Sequence, residues 1–596
     1  MKRLLVLAVV AACGGHAVFH LTANDNDREQ LAAALAHRQL PEQPAPTNAA
    51  RAPRVFVLEA PGANAGKTIV AYDLERGAIL WKQDADVQSR IWVGGNFIVE
   101  IEAKQLVARD QQTGAVKWHT SVPGEFVGAA AEGDHAYLVW KQDNSTWWLA
   151  GYDGASGNQL WKADADGVLG APAAHGGVVY EPYNAQWLSI IDGATGKPLA
   201  RIRGIDEQIS MLRVTSRAAY FGSKQGVFEL DARSSSGKRA DSSYGQVTVP
   251  AQLEHTTYGR DTYDPIQNAY TAADRARVLF ATTGGMKLRG DAYAVHYFRY
   301  VFGFTHDGGL AWAYSNPRVE LVASEDTGAA ILAISQTGDL VALDPANGGV
   351  RLQKSIGTTA SVLGATFDAD GWSPPAGGEK VETVAALVAI ARDHDARFDR
   401  VKDLAVQALA KLSGGEVTKE LLGVLADARA PQKLKETVVD LLVARKDPAS
   451  LPVLVEQLAT HDDFLRKTSP LALGPVAKAI AGLGGAKLDP GAVNAALVAL
   501  QSHLDAPTTQ VADLVFVIDA MAAIGGGKER PALGSHLLLY HADDDLGSDA
   551  AWDRAIVIAL EAHGGPGERE LLRQVAADPR TKPDLVAAIR DALAND

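Results

Sequence analysis

The sequence predicts a multidomain β + α chain, a β-propeller followed by an α-solenoid. Three observations predict it. A nine-residue frame, Asp-x-x-x-Gly-x-x-x-Trp at its fullest, recurs about every 40 residues through the first half. After "GWSPPAGGEK" (371–380) strand patterning gives way to Ala- and Leu-rich helical periodicity. The length, 596 residues, exceeds what one hydrophobic core serves.

The chain opens "MKRLLVLAVVAACGGHAVFHLTANDNDREQ". Lys2 and Arg3 form a positive n-region, Leu4 to Ala12 a short apolar core, and small residues precede Cys13, the sole cysteine. Residues 1–12 are thus expected to be a lipoprotein-type signal peptide. Acylation of Cys13 would leave a mature chain without a thiol. An uncleaved anchor over Leu4 to Ala23 and ordinary cleavage near Ala23 stay open, and each places the remainder outside the cytoplasm. Residues 24–53 are polar, then Pro- and Ala-rich, so 13–53 reads as a lipid-anchored flexible tether.

The next element spans 54–372. Frame aspartates fall at Asp73, Asp110, Asp153, Asp192, Asp231, Asp307 and Asp344, so successive spacings are 37, 43, 39, 39, 76 and 37. All but the fifth match a four-stranded propeller blade. A β-rich run precedes each aspartate ("TIVAYD", "WLSIID", "DLVALD") and turn chemistry follows ("GASG", "GATG", "PANG"). An aspartate opening a turn accepts hydrogen bonds from the next few N–H groups. Gly77, Gly114, Gly157, Gly196 and Gly348 supply the positive φ that other residues resist. The final strand then carries Trp81, Trp118 or Trp161, with Ala200 and Leu352 as replacements and Trp312 after a shortened turn. These side chains are expected between blades. Seven copies predict seven blades, or eight if "SVLGATFDADGW" (361–372) completes another.

The double interval between Asp231 and Asp307 contains "ADSSYGQVTVPAQLEHTTYGRDTYDPIQNAYTAAD" (240–274). Tyr258, Arg260, Tyr263 and Tyr270 there suit a partner-binding loop. A decayed blade with inward-packed tyrosines is the alternative.

Residues 373–380 read as a linker and 381–596 as paired helices. Segments such as "VKDLAVQALAKL" and "LKETVVDLLVARK" each carry one apolar stripe. Breaks recur at Gly414, Asp447-Pro448, Gly484, Gly525 and Gly564, in steps of 33, 37, 41 and 39. Five to six helix pairs at this period resemble HEAT or armadillo repeats, whose concave surface suits macromolecular partners.

Composition excludes some functions. Net charge is -14 and the pI about 5.6, against a nucleic-acid partner. "ARDHDARFD" (391–399) and "YHADDDLGSD" (540–549) mix His with carboxylates but lack metal-ligand spacing. No G-x-S-x-G elbow or phosphate loop occurs, and "GGGKER" (525–530) reads as a helix break. No catalytic residue, metal site or small-molecule substrate is expected.

The phrase D-x-x-T/S-G-x-x-x-W resembles the repeat of the pyrroloquinoline-quinone (PQQ) enzymes and their non-enzymatic relatives, among them the propeller lipoprotein of the outer-membrane assembly machinery. The enzymes of that family hold their quinone on a Ca²⁺ ion, often beneath a disulfide of vicinal cysteines. One cysteine cannot supply that pair, so no cofactor is expected. The resemblance implies a non-catalytic, membrane-anchored envelope scaffold facing the periplasm, at the outer rather than the inner membrane. Its partners would be other envelope proteins, with a PQQ-dependent dehydrogenase as the alternative.

Overall fold

The computed structural model describes residues 52–594, apart from short loops, most of 204–292 outside its strands, and 375–382, 460–470 and 544–550. Two compact units meet in sequence at Thr383 and Val384.

Among the described residues the first unit contains seven four-stranded antiparallel sheets. Six are continuous in sequence, at 92–121, 125–165, 173–203, 211–247, 277–315 and 321–355. The remaining sheet, blade 1, joins Arg54–Ala60, Thr68–Asp73 and Ala78–Asp84 to an innermost strand from far along the chain, Ser361–Asp368. Innermost strands adjoin in succession from blade 7 through blade 1 to blade 5, and blade 6 adjoins blade 7. Residues 361–368 therefore close the ring by pairing Arg54 with Asp368 through Ala60 with Ser361. They do not open an eighth blade. A separate two-stranded hairpin, Thr262–Asp264 with Ala269–Thr271, falls between blades 5 and 6 in sequence.

Strands flanked by neighbouring blades on both faces read as unbroken apolar runs. Arg54–Ala60 and Thr68–Asp73 are buried along their whole length. Core clusters take side chains from two successive blades. One joins Phe56, Leu58 and Trp81 of blade 1 to Ile98 of blade 2. Another joins Val55, Val57 and Val70 of blade 1 to Leu332 and Ile334 of blade 7. Each fully buried aliphatic side chain contributes roughly 1.5–3 kcal/mol, so no blade is stable without its neighbours.

The second unit holds twelve α-helices among the described residues. In chain order they are α1 (Thr383–Ala391), α2 (Asp399–Lys411), α3 (Gly415–Ala426), α4 (Gln432–Arg445), α5 (Leu451–Leu458) and α6 (Leu473–Ala481). There follow α7 (Pro490–Leu504), α8 (Val511–Gly525), α9 (Arg530–Tyr540), α10 (Ala551–His563), α11 (Pro566–Ala577) and α12 (Pro583–Ala594). Even-numbered helices from α2 to α12 pack in succession as one layer, and odd-numbered helices from α3 to α11 pack against them as the other. The start signal for α7 is explicit, with Asp489 accepting from Ala492 N at 2.8 Å ahead of Pro490. Lys446 and Gly526 end α4 and α8 in the left-handed conformation.

Candidate functional site

The frame residues build one device repeatedly. Asp153 Oδ1 accepts from Ala155 N at 3.2 Å, Ser156 N at 2.7 Å and Ser156 Oγ at 2.6 Å. Asp110 does the same with Gln112, Thr113 and the Thr113 hydroxyl, each at 3.0 Å. Asp73 holds the N–H groups of Glu75 and Arg76, Asp192 holds Thr195, and Asp344 holds Ala346. The Ser156 hydroxyl and N–H hold the Asp153 carboxyl below its ordinary range. Burial alone would raise Asp110, but the Thr113 hydroxyl and two backbone N–H groups take it below. Four residues on, the glycine N–H returns to the aspartate carbonyl at 2.8–2.9 Å, with φ between 69° and 75°.

The tryptophan leaves its own blade. Trp81 Nε1 donates to Gln111 O at 3.1 Å, Trp118 to Gly154 O at 2.9 Å, Trp161 to Gly193 O at 2.8 Å and Trp312 to Pro345 O at 2.9 Å. Each acceptor is the residue after the next blade's aspartate. Each indole face lies on the next blade's glycine, where a Cβ would approach the ring to 2.5–2.6 Å at Gly114, Gly157, Gly196 and Gly348. The glycine therefore serves two purposes, a left-handed turn and a seat for an indole. A bulge shifts register so that each tryptophan faces the residue two before its own aspartate-turn position. That residue is small: Ala71, Ala108, Gly151 or Gly303. Where Ala200 replaces tryptophan, the facing residue grows to Ile190.

The junction from blade 7 to blade 1 differs: Leu352 of blade 7 cannot donate a hydrogen bond, and Gly77 of blade 1 faces Lys354 Nζ and Tyr72 OH in place of an indole. In blade 6 the place of the frame aspartate is taken by Thr305, whose N–H bonds Gly309 O at 2.8 Å; Asp307 lies inside the shortened turn. The sequence assigned Asp307 to the frame, and a turn one residue shorter explains the displacement.

Outer strands present the accessible surface. Ala78–Asp84, Val116–Ser121, Gln159–Ala165 and Val350–Ser355 each pair on one side only. Ile79, Val116 and Leu160 on them are 51%, 50% and 45% exposed, beside Lys82, Lys117 and Lys162. An unpaired edge with apolar side chains accepts an extended segment, while flanking lysines discourage self-pairing.

Charge is also buried between blades 1 and 2. Arg109, between Glu100 and Glu102, bonds Glu100 at 2.7 Å and Glu102 at 2.7 Å. One guanidinium shared by two carboxylates does not offset burial at Glu100, whose carboxyl is pushed up to about 8. Glu181, at the corresponding place in blade 4, has no side-chain partner for its carboxyl among the described residues, and burial pushes it well up against the opposing Gly170 N–H. On the innermost strands Arg90 reaches Thr366 of blade 1 at 3.2 Å and Glu325 of blade 7 at 3.8 Å.

Among the described residues no group of three or more His, Cys, Asp or Glu side chains is placed to hold a metal ion. Likewise, no described helix is long and apolar enough to cross a membrane. Cys13, Tyr258 and Arg260 lie outside the described residues. Tyr263 and Tyr270 are register partners in the two-stranded hairpin, and their side chains are not described.

A family model described as "Outer membrane protein assembly factor BamB" matches residues 65–277. A search of curated proteins finds no match. Among solved structures, BamB from Moraxella catarrhalis is similar at 17% identity, covering 50% of this chain and 85% of that one, with a TM-score of 0.30. The computationally designed Ika8 protein is similar at 13% identity, covering 53% of this chain and 90% of that one, with a TM-score of 0.33. Superpositions this loose carry no argument about individual residues. The first unit of this chain is a β-propeller built of aspartate-turn blades, and its residues 65–277 are similar to the PQQ-like family that the BamB model describes.

Proposed function

We propose that the protein is a non-catalytic binding scaffold of the bacterial envelope that holds other proteins on propeller and helical surfaces. The observation that carries this reading is the match of residues 65–277 to the BamB family model. Exposed outer strands of blades 1 to 3 support it, because edge pairing needs backbone groups and few specific side chains. On this reading a partner polypeptide adds as a strand during outer-membrane protein assembly. The N-terminal cysteine carries a lipid, residues 13–53 act as tether, and the HEAT-like helices from 381 onward offer a second platform.

Photo-crosslinking from Ile79, Val116 and Leu160 in solubilised envelope, with capture of the full chain, tests this reading. Shared adducts from outer-strand positions, and none from buried Val99, are the expected result. Absence of edge-specific adducts overturns strand addition. A quinone absorbance, or a thermal shift on adding PQQ with Ca²⁺, overturns the non-catalytic reading in favour of a dehydrogenase. Loss of acyl labelling in Cys13→Ser checks the anchor.

A further inference from the structure

One titratable side chain in the helical unit is packed unlike its counterparts. His536 on α9 is 4% exposed, and neither ring nitrogen has a hydrogen-bond partner among the described residues. Its ring lies 4.6 Å from Tyr540 on the same helix and meets Trp552 of α10 edge-on at 5.2 Å. The indole N–H of Trp552 is equally without a partner there. The charged group facing the imidazole is Asp505, just past α7, with Oδ1 3.9 Å from Nδ1 and a side chain 56% exposed.

The other described histidines of this unit have partners. His503 bonds Leu458 O at 2.9 Å, His541 bonds the Thr581 hydroxyl at 3.0 Å, and His563 bonds Glu529 at 2.7 Å. Nothing comparable receives a proton on His536. A buried polar ring left unbonded is destabilising, and a buried cation far more so.

The geometry points to His536 as an acid-sensitive latch. Neutral, it fills the aromatic slot between Tyr540 and Trp552; on taking a proton it swings out toward Asp505, and the junction of α7, α9 and α10 loosens. Burial holds the ring below the ordinary histidine value of 6.5, with Asp505 acting the other way. The sign follows from linkage. A depressed folded value gives stability that is present above 6.5 and lost as pH falls below it. The closed junction is the neutral-pH state and the open one the acid state.

Hydrogen exchange of the full chain at pH 7.5 and pH 5, corrected for intrinsic rates, tests the latch. Peptides over α7, α9 and α10 should open roughly tenfold more at the lower pH, the factor that one pH step below the histidine range supplies. Peptides over α2 to α4 should not. His536→Gln should abolish the acid response, and Asp505→Asn should move it to lower pH. His536→Phe, equally unable to take a proton, gives the same reading if the glutamine variant does not fold. Equal acid opening in the wild type and either His536 variant, or no acid opening in the wild type, overturns the proposal.

Discussion

The propeller joins its blades in two ways, and their contrast is instructive. At the junctions from blade 1 to 2, 2 to 3, 3 to 4 and 6 to 7, a tryptophan crosses to the next blade's glycine and bonds the adjoining carbonyl. Between blades 7 and 1 no described tryptophan sits on the next blade's glycine, Gly77. Leu352 stands in its place, Lys354 reaches Glu75 O at 3.4 Å, and Tyr72 OH reaches Ser355 O at 3.5 Å. Here the ring is held by a strand, Ser361–Asp368, hydrogen-bonded along Arg54–Ala60. One locking method is local and repeated, and the other is used once between distant parts of the chain. The repeated method tolerates loss of a copy, as Ala200 with Ile190 shows; the single one has no substitute.

The largest expected effect follows directly. Deleting 361–372 removes blade 1's innermost strand, so cooperative thermal unfolding of the propeller should disappear. A chain ending at 374 should retain it, and a retained transition in the deletion would refute the closure argument. Next comes Trp312→Ala. This indole is 1% exposed, so calorimetry should show a loss of about 3–5 kcal/mol. Leu352→Ala, half-buried in the junction without an indole, should cost less.

Glycine substitutions sharpen the contrast further. Gly157→Ala meets both a φ of 75° and the Trp118 ring at 2.6 Å, and should destabilise by about 2 kcal/mol. Gly77→Ala meets a φ of 69° but only side-chain ends, the movable Lys354 Nζ at 3.1 Å and Tyr72 OH at 3.3 Å, and should lose about 1 kcal/mol. Equal losses in chemical denaturation would mean that the indole seat is energetically idle.

The smallest effect concerns the charge buried in the first clasped junction. Glu100 is raised from 4.5 to about 8, so its contribution is full below 4.5 and is lost as pH rises toward 8. Stability should fall by about 1 kcal/mol between pH 7 and 9 in the wild type, and less in Glu100→Gln. Parallel pH profiles would place the charge on Glu100 already at neutral pH.

The repeating aspartates and glycines made the propeller and its blade size legible, because turn chemistry is local and leaves a fixed period. The destination of each tryptophan was not legible from a single frame, since it lies on the following blade. Its signal was present all the same, in the alanine or glycine two places before the aspartate at 71, 108, 151 and 303. Closure by 361–368 was invisible to periodicity, which compares neighbours and says nothing about strands some 300 residues apart. Asp307 was misplaced because spacing alone does not register a turn shortened by one residue. The helical stripes announced a two-layer stack. They gave no hint that His536, on a buried stripe, would be left without a hydrogen-bond partner.

The closing strand also sets an order of events as the chain emerges into the compartment where it folds. Arg54–Ala60 comes first, but its innermost partner follows only with residue 368. Until then blade 1 keeps an open backbone edge, the kind of edge on which stray chains assemble. The emerging ring is thus exposed to mispairing until its last strand arrives, just ahead of the first helices.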